Sequence, residues 1–351
     1  MRIAQVAPLT ESVPPRQYGG TERVVSWLTE ELVRQGHEVT LFASGDSVTS
    51  AELVACFERA LRFDPDATCA IPHHLVMLNR VFQRAMDFDI IHFHIDFLHF
   101  PLFRARATST LTTLHGRLDL PFLRPAFSEF AEMPLVSISN DQRKPLARAN
   151  WISTVYHGLP QDLLPYRENP SLDYLAFLGR ISPEKRVDRA IEIARRAGMK
   201  VKIAAKVDKV DEVYFKNEIE PLLAQPHVEF IGEIDDAAKP EFLGNARGLV
   251  FPIDWPEPFG LVMIEAMACG TPVVADRRGS VPEVIDHGVT GFVVEDENEA
   301  VVAVKRLRML NRRMVRARFA ERFSVERMAD DYLDLYRGLA LQTARLRREL
   351  A

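Results

Sequence analysis

Pro252-Ile253-Asp254-Trp255-Pro256-Glu257-Pro258-Phe259-Gly260-Leu261-Val262-Met263-Ile264-Glu265-Ala266-Met267-Ala268-Cys269-Gly270 reads as the end of a buried strand, a proline-pinned loop and an opening helix. The loop carries Glu257 and the second helical turn carries Glu265, so two carboxylates flank a helix N-terminus. In α/β sheets this region, beyond the carboxyl ends of the strands, is where ligands bind. The first amides of the helix, at Gly260, Leu261 and Val262, favour an anion. At about 1.5 Å per residue, Glu265 lies roughly 7 Å deeper than the helix start. That spacing suits a ligand with a diol, a diphosphate and a second diol in line. A surface position for Glu265 is the alternative, but Met263, Ile264 and Met267 surround it, and an acid in so apolar a helix is costly to bury without a partner.

Outward from this stretch, strand-like runs alternate with helix-length segments along the chain. The first half offers runs at Arg2–Ala7, Val39–Phe42, Asp89–Phe93, Thr110–Leu114, Leu135–Ser139 and Ile152–Val155, with helices predicted over Thr21–Gln35 and Pro72–Met86. The second half offers Tyr174–Leu178, Val201–Ala205, Val228–Ile231, Gly248–Pro252, Pro272–Ala275 and Gly291–Val294. Pro183, after a capping Ser182, predicts a helix from there to about Ala197. Such alternation implies parallel α/β sheets. The composition shift over Tyr156–Pro170 marks a linker, with Gly158 and Pro160 as the hinge, and a cleft between two domains is the expected ligand site. From Asn298 onward the chain is helical by period. Its arginines, from Arg306 to Arg322, read as a solvated basic face, the other reading being contact with an acidic partner or a membrane surface.

Three further clusters carry chemistry. Gly179-Arg180-Ile181-Ser182-Pro183-Glu184-Lys185 follows the first strand of the second half and sets two cations five positions apart, where charge develops on a leaving diphosphate. With the glutamate pair, these residues fit a nucleotide sugar: Glu265 on the ribose, the helix end on the pyrophosphate, Glu257 on the sugar. In the first half, Tyr18-Gly19-Gly20-Thr21-Glu22 joins a strand to a helix through glycines that permit close approach to a ligand, and His115-Gly116 follows a buried strand. His92-Phe93-His94-Ile95-Asp96 places alternate histidines on one strand face, a metal-hydrolase pattern in which Phe97 stands where a last histidine belongs. Pocket lining or a structural role is the preferred reading, and no metal is expected. Asp235 and Asp236 are placed to cap a helix before Phe242 rather than to hold a cation.

Composition removes other classes. With 47% hydrophobic and 26% charged residues in 351, the chain is an ordinary globular protein of two domains, not a disordered or coiled-coil one. Forty-four basic against 49 acidic residues give −5, which asks for no nucleic acid and no anionic bilayer. Three scattered cysteines, Cys56, Cys69 and Cys269, form neither a disulfide framework nor a zinc knuckle. The apolar start ends at Pro8, too short for a leader or membrane span, and the cytoplasm is the expected compartment. No Gly-x-Gly-x-x-Gly, Walker loop or acid after the second strand supports a dehydrogenase or P-loop enzyme.

Taken together, the Gly19-Gly20 loop, Asp89-Ile90-Ile91-His92-Phe93-His94, His115, Gly179-Arg180 with Lys185, Val228–Gly232 and Glu257-x7-Glu265 followed by Ala268-Cys269-Gly270-Thr271-Pro272-Val273 resemble the glycosyltransferase family 4 enzymes over nearly the whole chain. The resemblance implies a GT-B fold, two facing Rossmann-like parallel-sheet domains with an interdomain cleft. Residues 1–160 form the acceptor domain and 161–326 the nucleotide-sugar domain, with a last helix, about 327–351, packing back on the first. It implies a retaining hexosyltransferase using a nucleotide sugar, UDP-glucose being the commonest donor, on an unidentified acceptor. Catalytic roles fall to Arg180, Lys185, Glu257 and His115, with Arg180 and Lys185 on the diphosphate and His115 near the sugar's 6-hydroxyl. Donor binding falls to Gly20, Gly260, Leu261, Val262 and Glu265. The leaving phosphate oxygen takes the acceptor's proton, so neither a side-chain base nor a cofactor or metal is required. The chain departs from the family in His157-Gly158-Leu159-Pro160, where Asn-Gly-x-Asp is usual, and in Arg278-Gly279, where two glycines are common. Other readings are a non-catalytic or partner-dependent nucleotide-sugar or glycan-binding protein, from which loss of Arg180, Lys185 or Glu265 would be expected, an epimerase of the same shape, and a metal hydrolase using His92, His94 and Asp96.

Overall fold

The computed structural model describes residues 1–16 and 19–349, with side chains as far as Arg345; Tyr18 of the glycine loop and the last two residues of the chain fall outside the described residues. The chain divides into two compact units, Met1–Leu159 with Val325–Ala351, and Pro160–Ser324.

The first unit is built on seven strands: β1 (Arg2–Val6), β2 (Glu38–Ser44), β3 (Glu52–Phe57), β4 (Ile90–Phe93), β5 (Thr110–Thr113), β6 (Leu135–Ser137) and β7 (Trp151–Thr154), in the spatial order β3-β2-β1-β4-β5-β6-β7. Every pairing is parallel. The second unit repeats the scheme with β8 (Tyr174–Arg180), β9 (Lys200–Lys206), β10 (Val228–Gly232), β11 (Gly248–Phe251), β12 (Val273–Asp276) and β13 (Gly291–Val294), ordered β10-β9-β8-β11-β12-β13 and again parallel throughout. Central strands such as β4 and β11 are buried at every residue, as expected of parallel strands covered on both faces. In each sheet the strand order reverses once, between β1 and β4 and between β8 and β11. A crevice opens at such a switch point, so the topology itself picks out the loops after these four strands.

Four details differ from the sequence reading. Strand β3 is absent from it, because Glu52–Phe57 is an edge strand with only Cys56 buried and therefore lacks an apolar signature. The helix expected over Pro183–Ala197 is broken: a single turn, Pro183–Lys185, precedes Arg186 in the left-handed region (φ +51°), and the α-helix proper runs from Val187 to Ala197. The Arg186 guanidinium is held by Asp188, at 2.8 Å, and by Asp254, at 3.4 Å, which supports the break; the Ser182 hydroxyl makes no capping bond. Asp235 accepts from the Ala238 amide at 2.9 Å, in the turn before the helix Lys239–Gly244, whose cap residue Ala238 has no side-chain bond.

The arginine-rich segment is a solvated face only in part: Arg306, Arg308 and Arg313 are exposed, whereas Arg312, Arg316 and Arg322 are engaged by the second unit. Along the helix Arg312–Arg322, Arg312 donates to the Gly244 and Ala246 carbonyls at 2.8 and 3.0 Å, and Arg316 to that of Ala268 at 2.7 Å. Gly244 and Ala268 end the helices Lys239–Gly244 and Leu261–Ala268, so these cations satisfy carbonyls left over at helix C-termini and offset the helix dipoles. Arg322 pairs with Asp286 at 2.7 Å. In the first unit the C-terminal helix, Val325–Glu349, buries Tyr332 and Tyr336 completely. No helix among the described residues is long and apolar enough to cross a membrane.

Candidate active site

In the second unit the loops after β8 and β11 meet beside the reversal of strand order. Lys185 Nζ forms an ion pair with Glu257 Oε2, and both side chains are nearly buried. The Trp255 indole donates to the same carboxylate oxygen at 2.9 Å. The ammonium also lies 5.3 Å from the Phe251 ring and 5.1 Å from that of Trp255, so it is framed by two aromatic faces. The Asp254 amide bonds to the Glu184 carbonyl at 2.9 Å, tying the two loops together. Arg180, at the end of β8, pairs with Glu184 at 3.3 Å and with Asp208 at 3.4 Å.

Gly260 caps the helix Leu261–Ala268 at φ +78°, and a Cβ there would come within 2.9 Å of Met263 and 3.3 Å of Glu257. Glu265 is 5% exposed, which removes the surface reading, and its Oε1 bonds Lys239 Nζ at 2.6 Å. Lys239 also faces Asp236 at 3.0 Å. Unit two thus brings together Arg180 with the Pro183–Lys185 turn, Lys185 with Glu257, and Gly260, Leu261 and Val262 at the head of the helix that carries Glu265.

Three contributors have no role assigned to them by the sequence. Lys239, the partner that a buried Glu265 demands, sits 26 residues earlier. Trp255 lay inside the quoted stretch, and an indole in a proline-rich loop next to an acid was the available signal. The third is Gly279, at φ +51°, where a Cβ would stand 2.3 Å from the Glu257 carbonyl oxygen and 2.4 Å from its nitrogen. Of the two positions where glycines are common, the one retained is the one pressed against Glu257. Arg278 points a charge toward Asp254, 3.7 Å away. Gly279→Ala is expected to cost more than about 1 kcal/mol of stability and to move the Glu257 loop, lowering turnover well beyond Arg278→Ala. Equal activities in the two variants, measured side by side, would contradict this steric role.

In the first unit Gly20 opens the helix Gly20–Arg34 after β1, and His115 follows β5. Gly19 is extended (φ 170°) and a Cβ there would meet Pro15 at 2.7 Å, so it serves packing beneath the loop rather than a turn of unusual hand. Burial lifts the neighbouring Glu22 carboxyl from 4.5 to about 7, with the Glu11 carboxylate adding to the shift. A raised acid pKa means that the folded state holds the proton more tightly. The associated stability is complete below pH 4.5 and is lost as pH rises through about 7. Glu22→Gln should therefore match the native protein near pH 4.5 and exceed it by up to about 3 kcal/mol at pH 8. Thermal unfolding at the two pH values checks it, and a difference independent of pH would refute it.

His92, in β4, and His94, just past its end, lie with their rings 4.0 Å apart. His92 bonds Tyr336 and Thr113, each at 2.7 Å, and His94 bonds Gln5 and His115, each at 2.8 Å, so all four ring nitrogens are occupied by the protein. Asp96 is exposed, and no three potential ligands converge among the described residues. Burial holds the His92 and His94 imidazoles well below the ordinary histidine range and takes His115 down to about 3. His115 also stacks on His157, centroids 5.2 Å apart, where the family usually has asparagine.

Two family models match the chain in succession: Glycosyltransferase Family 4 over residues 18–157 and Glycosyl transferases group 1 over residues 165–323. The chain belongs to glycosyltransferase family 4. Relatives of this glycosyltransferase include the phosphatidyl-myo-inositol mannosyltransferase of Mycobacterium leprae, 24% identical over 91% of this chain and 90% of that protein. The N-acetyl-alpha-D-glucosaminyl L-malate synthase of Bacillus anthracis is 24% identical over 91% and 93%. Among solved structures, AviGT4, a glycosyltransferase involved in avilamycin A biosynthesis, superposes with a TM-score of 0.74 at 22% identity over 97% of this chain and 98% of that one. Anabaena HepE in complex with UDP-glucose gives 0.71 at 17% over 96% and 100%. The glycosyltransferase therefore has the GT-B type of fold, two parallel-sheet Rossmann-like domains.

Proposed function

We propose that this glycosyltransferase moves a hexose from a nucleoside-diphosphate sugar, UDP-glucose first among candidates, to an acceptor hydroxyl with retention at the anomeric carbon and without a metal. The observation that carries the reading is the Lys185–Glu257 pair beside Arg180 at the β8/β11 switch point, one short helix away from the buried Glu265. Glu265, one oxygen held by Lys239, accepts a ribose hydroxyl on the other. The helix start at Gly260, Leu261 and Val262 receives the pyrophosphate. Lys185 and Arg180 exchange their carboxylate partners for phosphate oxygens as the leaving diphosphate gains charge, and Glu257, released from Lys185, turns to the hydroxyls of the sugar. Gly20 and His115 complete the donor contacts. A lysine poised between a carboxylate and two aromatic faces is fixed in advance, so little reorganisation accompanies the charge shift. HepE, solved with UDP-glucose and with UDP, supports the choice of donor; the mannosyl and glucosaminyl relatives keep other sugars in the screen.

Thermal unfolding with UDP, UDP-glucose, UDP-N-acetylglucosamine, ADP-glucose and GDP-mannose tests the reading. A ligand at 100 times its Kd stabilises by about 2.7 kcal/mol, and the expected result is a raised Tm with UDP and UDP-glucose and release of UDP from the latter. A protein that no nucleotide or nucleotide sugar stabilises would overturn it.

A further inference from the structure

Trp255-Pro256-Glu257 closes a tight turn in the loop after β11. The Glu257 amide donates to the Trp255 carbonyl at 2.9 Å, and Pro256 between them supplies the fixed φ that a three-residue turn needs. The turn brings the two side chains together, so that the Trp255 Nε1–H reaches Glu257 Oε2 at 2.9 Å. Behind it the Glu257 carbonyl accepts from the Ser280 amide at 3.0 Å, and Gly279 packs against the Glu257 backbone. The main chain of Glu257 is thus held from one side and its carboxylate from the other.

The two oxygens of this carboxylate are not equivalent. Oε2 accepts from both Lys185 and Trp255, whereas Oε1 accepts no hydrogen bond among the described residues. The two donors differ in permanence. Lys185 Nζ ends a flexible stem and, in the function proposed above, leaves for the diphosphate. The indole is fixed by the turn two residues from the carboxylate it holds. Glu257 is only 8% exposed, and a buried carboxylate that loses its cation keeps its place only where another donor remains. The Trp255 N–H is that donor.

We propose that Trp255 is a positioning residue: its indole N–H keeps Glu257 Oε2 in place after Lys185 has gone over to the diphosphate, so that Oε1 is the oxygen presented to the hydroxyls of the donor sugar. The hydrogen bond stands on the geometry; the sugar contact rests on the function proposed above. The indole ring serves Lys185 as well, whose ammonium lies 5.1 Å from it, but the ring face and the N–H can be separated chemically.

In the full-length protein Trp255 is replaced by phenylalanine, which keeps an aromatic face, and by the benzothiophene isostere of tryptophan, in which sulfur stands where the N–H was. The chain has three tryptophans, and ¹H–¹⁵N correlation of their indoles identifies that of Trp255 by its loss in Trp255→Phe. Its proton should lie downfield and exchange slowly, move upfield in Glu257→Gln, and stay downfield when UDP or UDP-glucose is added to saturation. With UDP-glucose as probe, both replacements should lower kcat/KM for donor hydrolysis about tenfold or more and leave inhibition by UDP unchanged. A packing role predicts native turnover in the isostere and a loss only in Trp255→Phe, and that result overturns the proposal. So does a Trp255 proton that leaves its downfield position when UDP-glucose binds. Loss of UDP inhibition as large as the loss of turnover overturns the sugar contact. A Trp255 proton bonded as described, in a protein that turns over no donor, counts against the proposed function, and the sugar contact falls with it.

Discussion

Lys185→Ala is expected to lower donor turnover by about 100- to 1,000-fold while the donor KM changes less than tenfold. The asymmetry follows from where the ammonium acts. In the resting protein it is paired with Glu257, so ground-state binding of the diphosphate exchanges one anionic partner for another at little net gain. The gain comes when the phosphate bridging oxygen takes up charge, and only interactions stronger in the transition state raise kcat. Removing the lysine also leaves Glu257 without its cation, so the single variant must be compared with Glu257→Gln and with the double variant. Coupling of about 1 kcal/mol or more between them is the expected outcome for groups in direct contact. Additive losses, or a Lys185→Ala effect confined to KM, would remove Lys185 from the chemical step.

The second large effect belongs to Glu265. Glu265→Ala should weaken UDP and UDP-glucose alike by about 1.5 to 3 kcal/mol, roughly 10- to 150-fold in Kd, because charge-assisted hydrogen bonds to the ribose are lost. The fold should hold, since Asp236 still faces Lys239 at 3.0 Å and the buried ammonium keeps a partner. Glu257→Ala, by contrast, should spare free UDP and act on the sugar-bearing donor. Titration calorimetry with UDP on the two variants distinguishes the roles, and equal losses of UDP affinity would contradict the division of labour.

What could be read from the sequence was what neighbouring residues specify. The alternating strands and the Glu257–Glu265 stretch imply the β11 loop and helix directly, and the apolar company of Glu265 announces its burial. What could not be read depends on partners distant in sequence or unmarked in it. Lys239 completes Glu265 across 26 residues, and nothing in Ala237-Ala238-Lys239-Pro240 sets that lysine apart from a surface one. Arg312 and Arg316 bond backbone carbonyls, which every residue has, so their role as clamps leaves no trace in composition. Arg186 takes a left-handed conformation for which an arginine gives no warning. The histidines show the converse. Their alternation is visible in the sequence and leaves a structural role and metal ligation both open, with the structural one preferred, but the partners that occupy their nitrogens are not visible: Gln5, Thr113 and Tyr336 come from two other strands and from a helix nearly 250 residues away in sequence.

The central claim is that protein cations, Lys185 with Arg180, take the part of the electrophile on the leaving diphosphate. The most direct measurement is a time course of UDP release from UDP-glucose, or from whichever donor the thermal screen selects, with and without excess EDTA. The account predicts the same rate in both, and a loss of two to three orders of magnitude in Lys185→Ala under either condition. Turnover that stops in chelator and returns with Mg²⁺ or Mn²⁺ would contradict it.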